Sequence, residues 1–232
     1  MKYGALILVA GLAACGSPGR RAAETRVIRP SEVTDFRVLY RQNCSGCHGI
    51  DGQGALAVAI GSPVYLAIAD NATIRRVVEQ GMPGTAMPAF GQSAGGLLTD
   101  AQIDILVRGM RERWARPDAS GSDKPPAYAA SQPGDTARGH NVLTMFCSSC
   151  HGSDGRGGRT GSIVDSSYLA LVSDQHLRTV TITGMPALGG PDWRGDVPGK
   201  PMSDADVTDV VAWLAAQRPP LSAQSNHPGG SE

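Results

Sequence analysis

This sequence predicts an all-α chain with long loops, built from one helical unit used twice, and three observations predict it. The pentapeptides Cys44-Ser45-Gly46-Cys47-His48 and Cys147-Ser148-Ser149-Cys150-His151 lie 103 residues apart. The same offset carries Gly49 to Gly152, Asp51 to Asp154, Gly54 to Gly157 and Arg75 to Arg178. It also carries Tyr65-Leu66-Ala67 to Tyr168-Leu169-Ala170 and Gly81-Met82-Pro83 to Gly184-Met185-Pro186, so one supersecondary unit is repeated. Each copy closes on a stretch with apolar residues at helical spacing, and nothing alternates with period two for long.

Composition sets the bounds. A chain of 232 residues with 30 Gly and 16 Pro suits one large domain or two small loop-rich ones. With 21 Lys and Arg against 21 Asp and Glu it lacks the basic field of a dedicated nucleic-acid binder, so no nucleic-acid partner is expected. No run reaches the ~18 apolar residues of a membrane-spanning helix.

Residues 1–14 read as a signal peptide, with Lys2 as the positive start and Gly4 to Ala14 as the apolar core. Leu12-Ala13-Ala14-Cys15 resembles the lipobox of bacterial lipoproteins, which implies cleavage before Cys15 and a lipid on its sulfur. An ordinary signal peptide with a cysteine beside its cleavage site is the alternative. Lipidation also accounts for an otherwise odd thiol in an oxidising compartment. Residues 15–30 would then form the tether, and Arg20, Arg21, Arg26 and Arg29 against Glu24 suit anionic head groups or simply water.

The first unit is expected over 31–116 and the second over 135–218, joined by a Pro/Ser/Gly-rich linker at 117–134 and followed by a disordered tail at 219–232. Helices lead into the cysteines over Val33 to Asn43 and Thr136 to Phe146. The closing helices are the better defined. Thr99 caps Asp100 to Trp114, with Ile103, Leu106, Val107 and Met110 as its stripe. Ser203 caps Asp204 to Gln217, with Val207, Val210, Val211 and Leu214. Units of roughly 85 residues with so few aromatics bury too little surface alone, so something large and apolar should fill each core.

The Cys-x-x-Cys-His pattern is the attachment signature of c-type haem. Two cysteines one helical turn apart can form thioethers to the two vinyl groups of one porphyrin, and the adjacent histidine then lies under the iron. A zinc site would place its cysteine pairs closer together in sequence. A redox dithiol would need a βαβ context, and disulfides across two intervening residues would be strained. Two covalently attached haem c groups are therefore expected, on Cys44, Cys47 and His48 and on Cys147, Cys150 and His151.

On these motifs the chain resembles class I cytochromes c, and specifically dihaem cytochromes made of two tandem domains, over roughly Val33 to Trp114 and Asp135 to Arg218. The resemblance implies a sixth iron ligand from a loop methionine followed by proline. Met87-Pro88-Ala89-Phe90-Gly91 fits that pattern, with Met82 as its local competitor. In the second unit the offset places Gly190 where Met87 would stand. Met185 in Gly184-Met185-Pro186-Ala187 is the favoured substitute, Met202 the alternative, and an open iron the third reading. Met202 precedes the cap Ser203, where an apolar residue staples onto Val207. His140 reads as facing solvent or a haem edge, His176 as a surface residue, and His227 lies in the tail. Arg75 and Arg178 are candidates for haem propionates or plain solvated helix residues. Tyr65, Tyr168, Phe90 and Trp193 are expected to wall the pockets.

The resemblance implies electron transfer without catalysis. The expectation is a periplasmic cytochrome tethered to a membrane through lipidated Cys15, relaying single electrons between donor and acceptor proteins of the respiratory chain. A quinol-oxidising complex is the implied donor and a terminal oxidase the acceptor, with a fixed subunit of either complex as the alternative arrangement. Near-zero net charge argues against strong electrostatic steering and favours the subunit arrangement. The competing reading is a dihaem enzyme of the peroxidase or thiosulfate-oxidising type, which only Gly190 invites. A cytochrome subunit of a periplasmic dehydrogenase is the third.

Overall fold

The computed structural model describes residues 28–219 apart from 55, 56, 120, 122, 196 and 198. The signal segment 1–14, lipidated Cys15, most of the 15–30 tether and nearly all of the 219–232 tail lie outside the described residues. Among the described residues the chain is helical and has no strand. The first domain holds α1 (Phe36–Asn43), α2 (Ser45–His48), α3 (Pro63–Ile68), α4 (Asn71–Gln80) and α5 (Asp100–Trp114). The second repeats the order with α6 (Thr136–Phe146), α7 (Ser148–His151), α8 (Ser166–Leu171), α9 (Asp174–Thr183) and α10 (Asp204–Ala215). No described helix is long and apolar enough to cross a membrane.

The closing helices start where their caps dictate. The Gln102 N–H donates to Thr99 Oγ1 (3.3 Å) while the Thr99 N–H donates to Gln102 Oε1 (3.0 Å), a reciprocal capping box. Ser203 and Asp206 build the same box on α10. Helix α1 begins three residues later than the apolar pattern suggests, because the Asp35 carboxylate accepts the Val38 N–H (2.9 Å) and takes the N-cap. Helix α10 ends at Ala215, short of the expected Gln217. The long loops contain more structure than expected. Ser62 caps α3 with Pro63 in its first turn, Asp70 caps α4, Asp165 caps α8 and Ser173 caps α9.

In each domain the leading helix crosses the closing helix, and the crossing needs a glycine. A Cβ on Gly109 of α5 would stand 2.2 Å from the Phe36 ring. A Cβ on Gly139 of α6 would stand 2.1 Å from the Asp209 carbonyl oxygen and 2.7 Å from Trp213 Cβ. Leu39, Tyr40, Ile74, Leu98, Ile103 and Leu106 form the centre of the first core. Leu143, Leu169, Ile182, Trp193, Met202 and Val207 form the centre of the second.

Arg75 and Arg178 have carboxylate partners on the closing helices. Arg75 pairs with Asp100 (3.2 Å) and Asp104. Arg178, almost wholly buried, pairs with Asp204 and donates to Thr208 Oγ1 (2.9 Å) and the Ala127 carbonyl (3.0 Å). Each arginine is thus held by a carboxylate on the closing helix of its own domain.

The linker is docked on both domains. Tyr128 packs against the first core and meets Tyr65 edge-on at 6.5 Å. Its carbonyl accepts from Gln175 Nε2 (2.8 Å), and the neighbouring Ala127 N–H donates to Asp204 Oδ1 (3.0 Å). In the other direction, Val64 of α3 is buried within the second core.

Candidate haem sites

Each site is built on one turn of helix. Cys44 closes α1 and caps α2; the Cys47 and His48 N–H groups both donate to its carbonyl (3.3 and 3.0 Å). Cys147, Cys150 and His151 repeat this at 3.1 and 2.9 Å. Residues three and four apart on such a turn share a face, so two sulfurs and an imidazole leave it together. Gly49 (φ 80°) and Gly152 (φ 77°) follow the histidines and turn the chain sharply, a conformation closed to residues with a Cβ. None of the four described cysteines is in a disulfide.

The histidines show what the site is for. His48 Nδ1 lies 2.8 Å from the Val58 carbonyl and His151 Nδ1 lies 2.9 Å from the Gly161 carbonyl. A carbonyl only accepts, so Nδ1 carries the proton and donates, which leaves the Nε2 lone pair free for a metal. Such a bond also fixes the ring orientation and raises ligand basicity. Val58 and Gly161 are themselves related by the repeat offset. Sequence reasoning missed both, because a carbonyl does its work whatever side chain it carries.

Burial holds the Cys44 and Cys147 thiols neutral. Desolvation, then the neighbouring Cys47, pushes the Cys44 thiol up to about 12, and desolvation, then Cys150, pushes Cys147 up to about 11. Redox dithiols have lowered values, so these pairs are not tuned for thiol–disulfide exchange. Desolvation lowers His48 below its ordinary value, with the Val58 carbonyl opposing. The residues present therefore fit haem c: two sulfurs on one face and a neutral imidazole with Nε2 available.

The methionines are grouped differently from the cysteines. Met82 and Met87 close one turn, the Met82 N–H donating to the Met87 carbonyl (3.0 Å). Met185 and Gly190 face each other across the equivalent turn. Met202 stands apart, 6% exposed in the second core. Trp193 is buried there too, Tyr65 is buried in the first core, and Phe90 and Tyr168 are partly buried. His140 is exposed and lies 5.6 Å from the Trp213 ring. His176 is half-buried rather than fully exposed. Burial, then the nearby His48 of the first domain, lowers it to about 4, and it meets Tyr168 edge-on at 6.2 Å.

A fold of two tandem helical domains, each presenting a Cys-x-x-Cys-His turn with an oriented imidazole, defines a covalent haem protein of the c type. The chain belongs to the cytochrome c family. The family model for cytochrome c oxidase, cbb3-type, subunit III matches residues 31–108, and that for cytochrome c matches 136–217. The chain is 35% identical over 85 residues to cytochrome c55X of Paracoccus denitrificans, covering 37% of this chain and 72% of that protein. It is 23% identical over 227 residues to the cytochrome bc1 complex cytochrome c subunit of Mycobacterium tuberculosis, covering 97% of this chain and 76% of that one. It is 29% identical over 132 residues to the cbb3-type cytochrome c oxidase subunit CcoP of Azospirillum sp., covering 52% and 40%. Two cytochrome c domains carry two covalently bound haem c groups, and the chain is a dihaem electron-transfer cytochrome.

Proposed function

We propose that this chain relays single electrons between respiratory-chain proteins at the periplasmic face of a bacterial membrane, held there by a lipid on Cys15. The observation that carries the relay is the duplicated site: two oriented imidazoles, each beside its own cysteine pair, in domains locked together by Val64, Ala127 and Tyr128. Cys44 and Cys47, and Cys147 and Cys150, would hold the two haems through thioethers, each S–H adding across a vinyl group with sulfur to one carbon and hydrogen to the other. His48 and His151 would hold the irons through Nε2, and Met87 would supply the sixth ligand of the first. Bound haem c supplies a one-electron Fe(III)/Fe(II) couple, whose potential a thioether ligand raises. The protein's own task is to orient the ligands, exclude water and fix the spacing between the sites.

The relatives in bc1 complexes and cbb3 oxidases support a quinol-oxidising complex as donor and a terminal oxidase as acceptor, with this chain as a subunit of such an assembly. The test is direct. Haem content of the mature protein should be two per chain, falling to one in Cys44→Ala/Cys47→Ala and in Cys147→Ala/Cys150→Ala. Stopped-flow mixing with a reduced quinol-oxidising complex should reduce both haems and release no chemical product. Turnover of peroxide or thiosulfate instead would sink the relay. Gly190 lines a cleft of about 520 Å³ between the domains, with Ser62, Arg116, Thr183, Asp192 and Arg194, and that cleft is what favours the enzymatic second reading.

A further inference from the structure

The two methionine turns are the same turn with one ligand missing. In the first domain the Met82 N–H donates to the Met87 carbonyl (3.0 Å); in the second the Met185 N–H donates to the Gly190 carbonyl (3.2 Å). The preceding glycines confirm the register. A Cβ on Gly81 would press on Met87, Pro88 and Ala89, and one on Gly184 would press on Gly190 and Pro191. Gly190 therefore occupies the place of Met87, and Met185 the place of Met82.

Across the second turn the Gly190 N–H also donates back to the Met185 carbonyl (3.1 Å), making the two residues a directly opposed antiparallel pair. Directly opposed residues carry their side chains on the same face. A Cβ built on Gly190 would stand 3.5 Å from the Met185 Cβ. The Met185 side chain thus leaves the turn beside the point from which a side chain at 190 would leave it, and on the same face. Methionine has three side-chain torsions and a soft sulfur, which lets it cover the small remaining displacement.

Met202 is placed otherwise. Its N–H donates to the Trp193 carbonyl (2.8 Å) just as the Leu98 N–H donates to the Phe90 carbonyl (2.8 Å). Both side chains are buried, so Met202 does the packing that Leu98, a residue without sulfur, does in the first domain.

We propose that Met185, from the opposite arm of the turn, is the sixth iron ligand of the second haem, a cross-turn replacement for the methionine absent at Gly190. The inference rests on haem attachment at Cys147, Cys150 and His151. The experiment uses the mature dihaem protein and three variants: Met185→Leu, Met202→Leu and Met185→Leu/Gly190→Met. The readouts are the long-wavelength absorption of methionine-ligated ferric haem, carbon monoxide uptake by the ferrous protein, and the two reduction potentials. The wild type should show two methionine-ligated haems and take up no carbon monoxide. Met185→Leu should halve the absorption, open one haem to carbon monoxide and lower one potential. Met202→Leu should do none of these, and the added Gly190→Met should restore the lost signal. Loss of the signal in Met202→Leu but not in Met185→Leu overturns the assignment. So does carbon monoxide uptake by one haem of the wild type, which would mean an iron open toward the interdomain cleft. Failure of the underlying reading is read separately, as a Cys147–His151 peptide without the mass of haem.

Discussion

At the helix crossing the two domains solve one packing problem in opposite ways. In the first, Phe36 on the leading helix lies over Gly109 on the closing helix; in the second, Gly139 on the leading helix lies beneath Trp213 on the closing helix. Position 139 answers to position 36 by the repeat offset, so the large and small partners have changed sides. What is kept is the combined volume at the crossing, as close packing requires, and the identity at each position is free to drift. The swap also changes what the glycine touches. Gly109 meets a ring, whereas Gly139 meets main-chain atoms of Asp209 that cannot rotate away.

That difference is sharpest in Gly139→Leu, which should prevent α6 from seating on α10 and cost on the order of 4 kcal/mol or more. Denaturant unfolding of the holoprotein should show the second domain released first, and an unchanged midpoint would break the comparison. Gly109→Ala should cost about 1–2 kcal/mol, and Phe36→Leu in the same chain should recover part of it by retracting the ring.

His176 separates the domains by pH. Its counterpart Thr73 does not titrate, whereas burial lowers His176 from about 6.5 to about 4. The unfolded chain therefore binds the proton more readily, and stability falls as pH drops from about 6.5 to about 4, by at most ~3 kcal/mol. Unfolding midpoints measured across that window should lose most of this slope in His176→Gln.

The buried Arg178 and the half-exposed Arg75 form a third contrast. Arg178→Met strips a partner from Asp204 and from the Ala127 carbonyl and should cost ~2 kcal/mol, while Arg75→Met should cost ~0.5 kcal/mol. Equal effects in thermal unfolding would show that burial is not what distinguishes them. The mildest variant is Met87→Ala. If either arm of the turn can present a ligand, Met82 takes over and the first haem keeps a methionine-ligated spectrum. Only Met82→Ala/Met87→Ala should lose it, with a fall in potential of ~0.1 V within the ~0.8 V that axial ligation spans.

The parts legible in the sequence are those specified by neighbours in the chain. Helices α5 and α6 were readable to the residue, from Thr99, the apolar stripe and the run into Cys147. Helices α3, α4, α8 and α9 were not, because six to ten residues with scattered apolar positions carry little periodicity, and Ser62, Asp70, Asp165 and Ser173 read as loop residues until their caps are seen. The cysteine–histidine turns were fully legible; the Val58 and Gly161 carbonyls that orient the imidazoles were not.

The sequence by itself determined the two haem motifs, the repeat that contains them and the capped helices that close each copy, because each depends on spacing along one chain. Tertiary structure alone decided how the copies are held. Arg111 donates to the Leu66 and Ala69 carbonyls and to Asn71, while Arg218 donates to the Leu169 and Val172 carbonyls and to Asp174. The clamped groups correspond one to one, yet the two arginines do not: Arg218 lies beyond the end of α10, whereas Arg111 lies within α5. A long, flexible side chain can reach one set of carbonyls from several starting points, and only the folded distance fixes which arginine arrives.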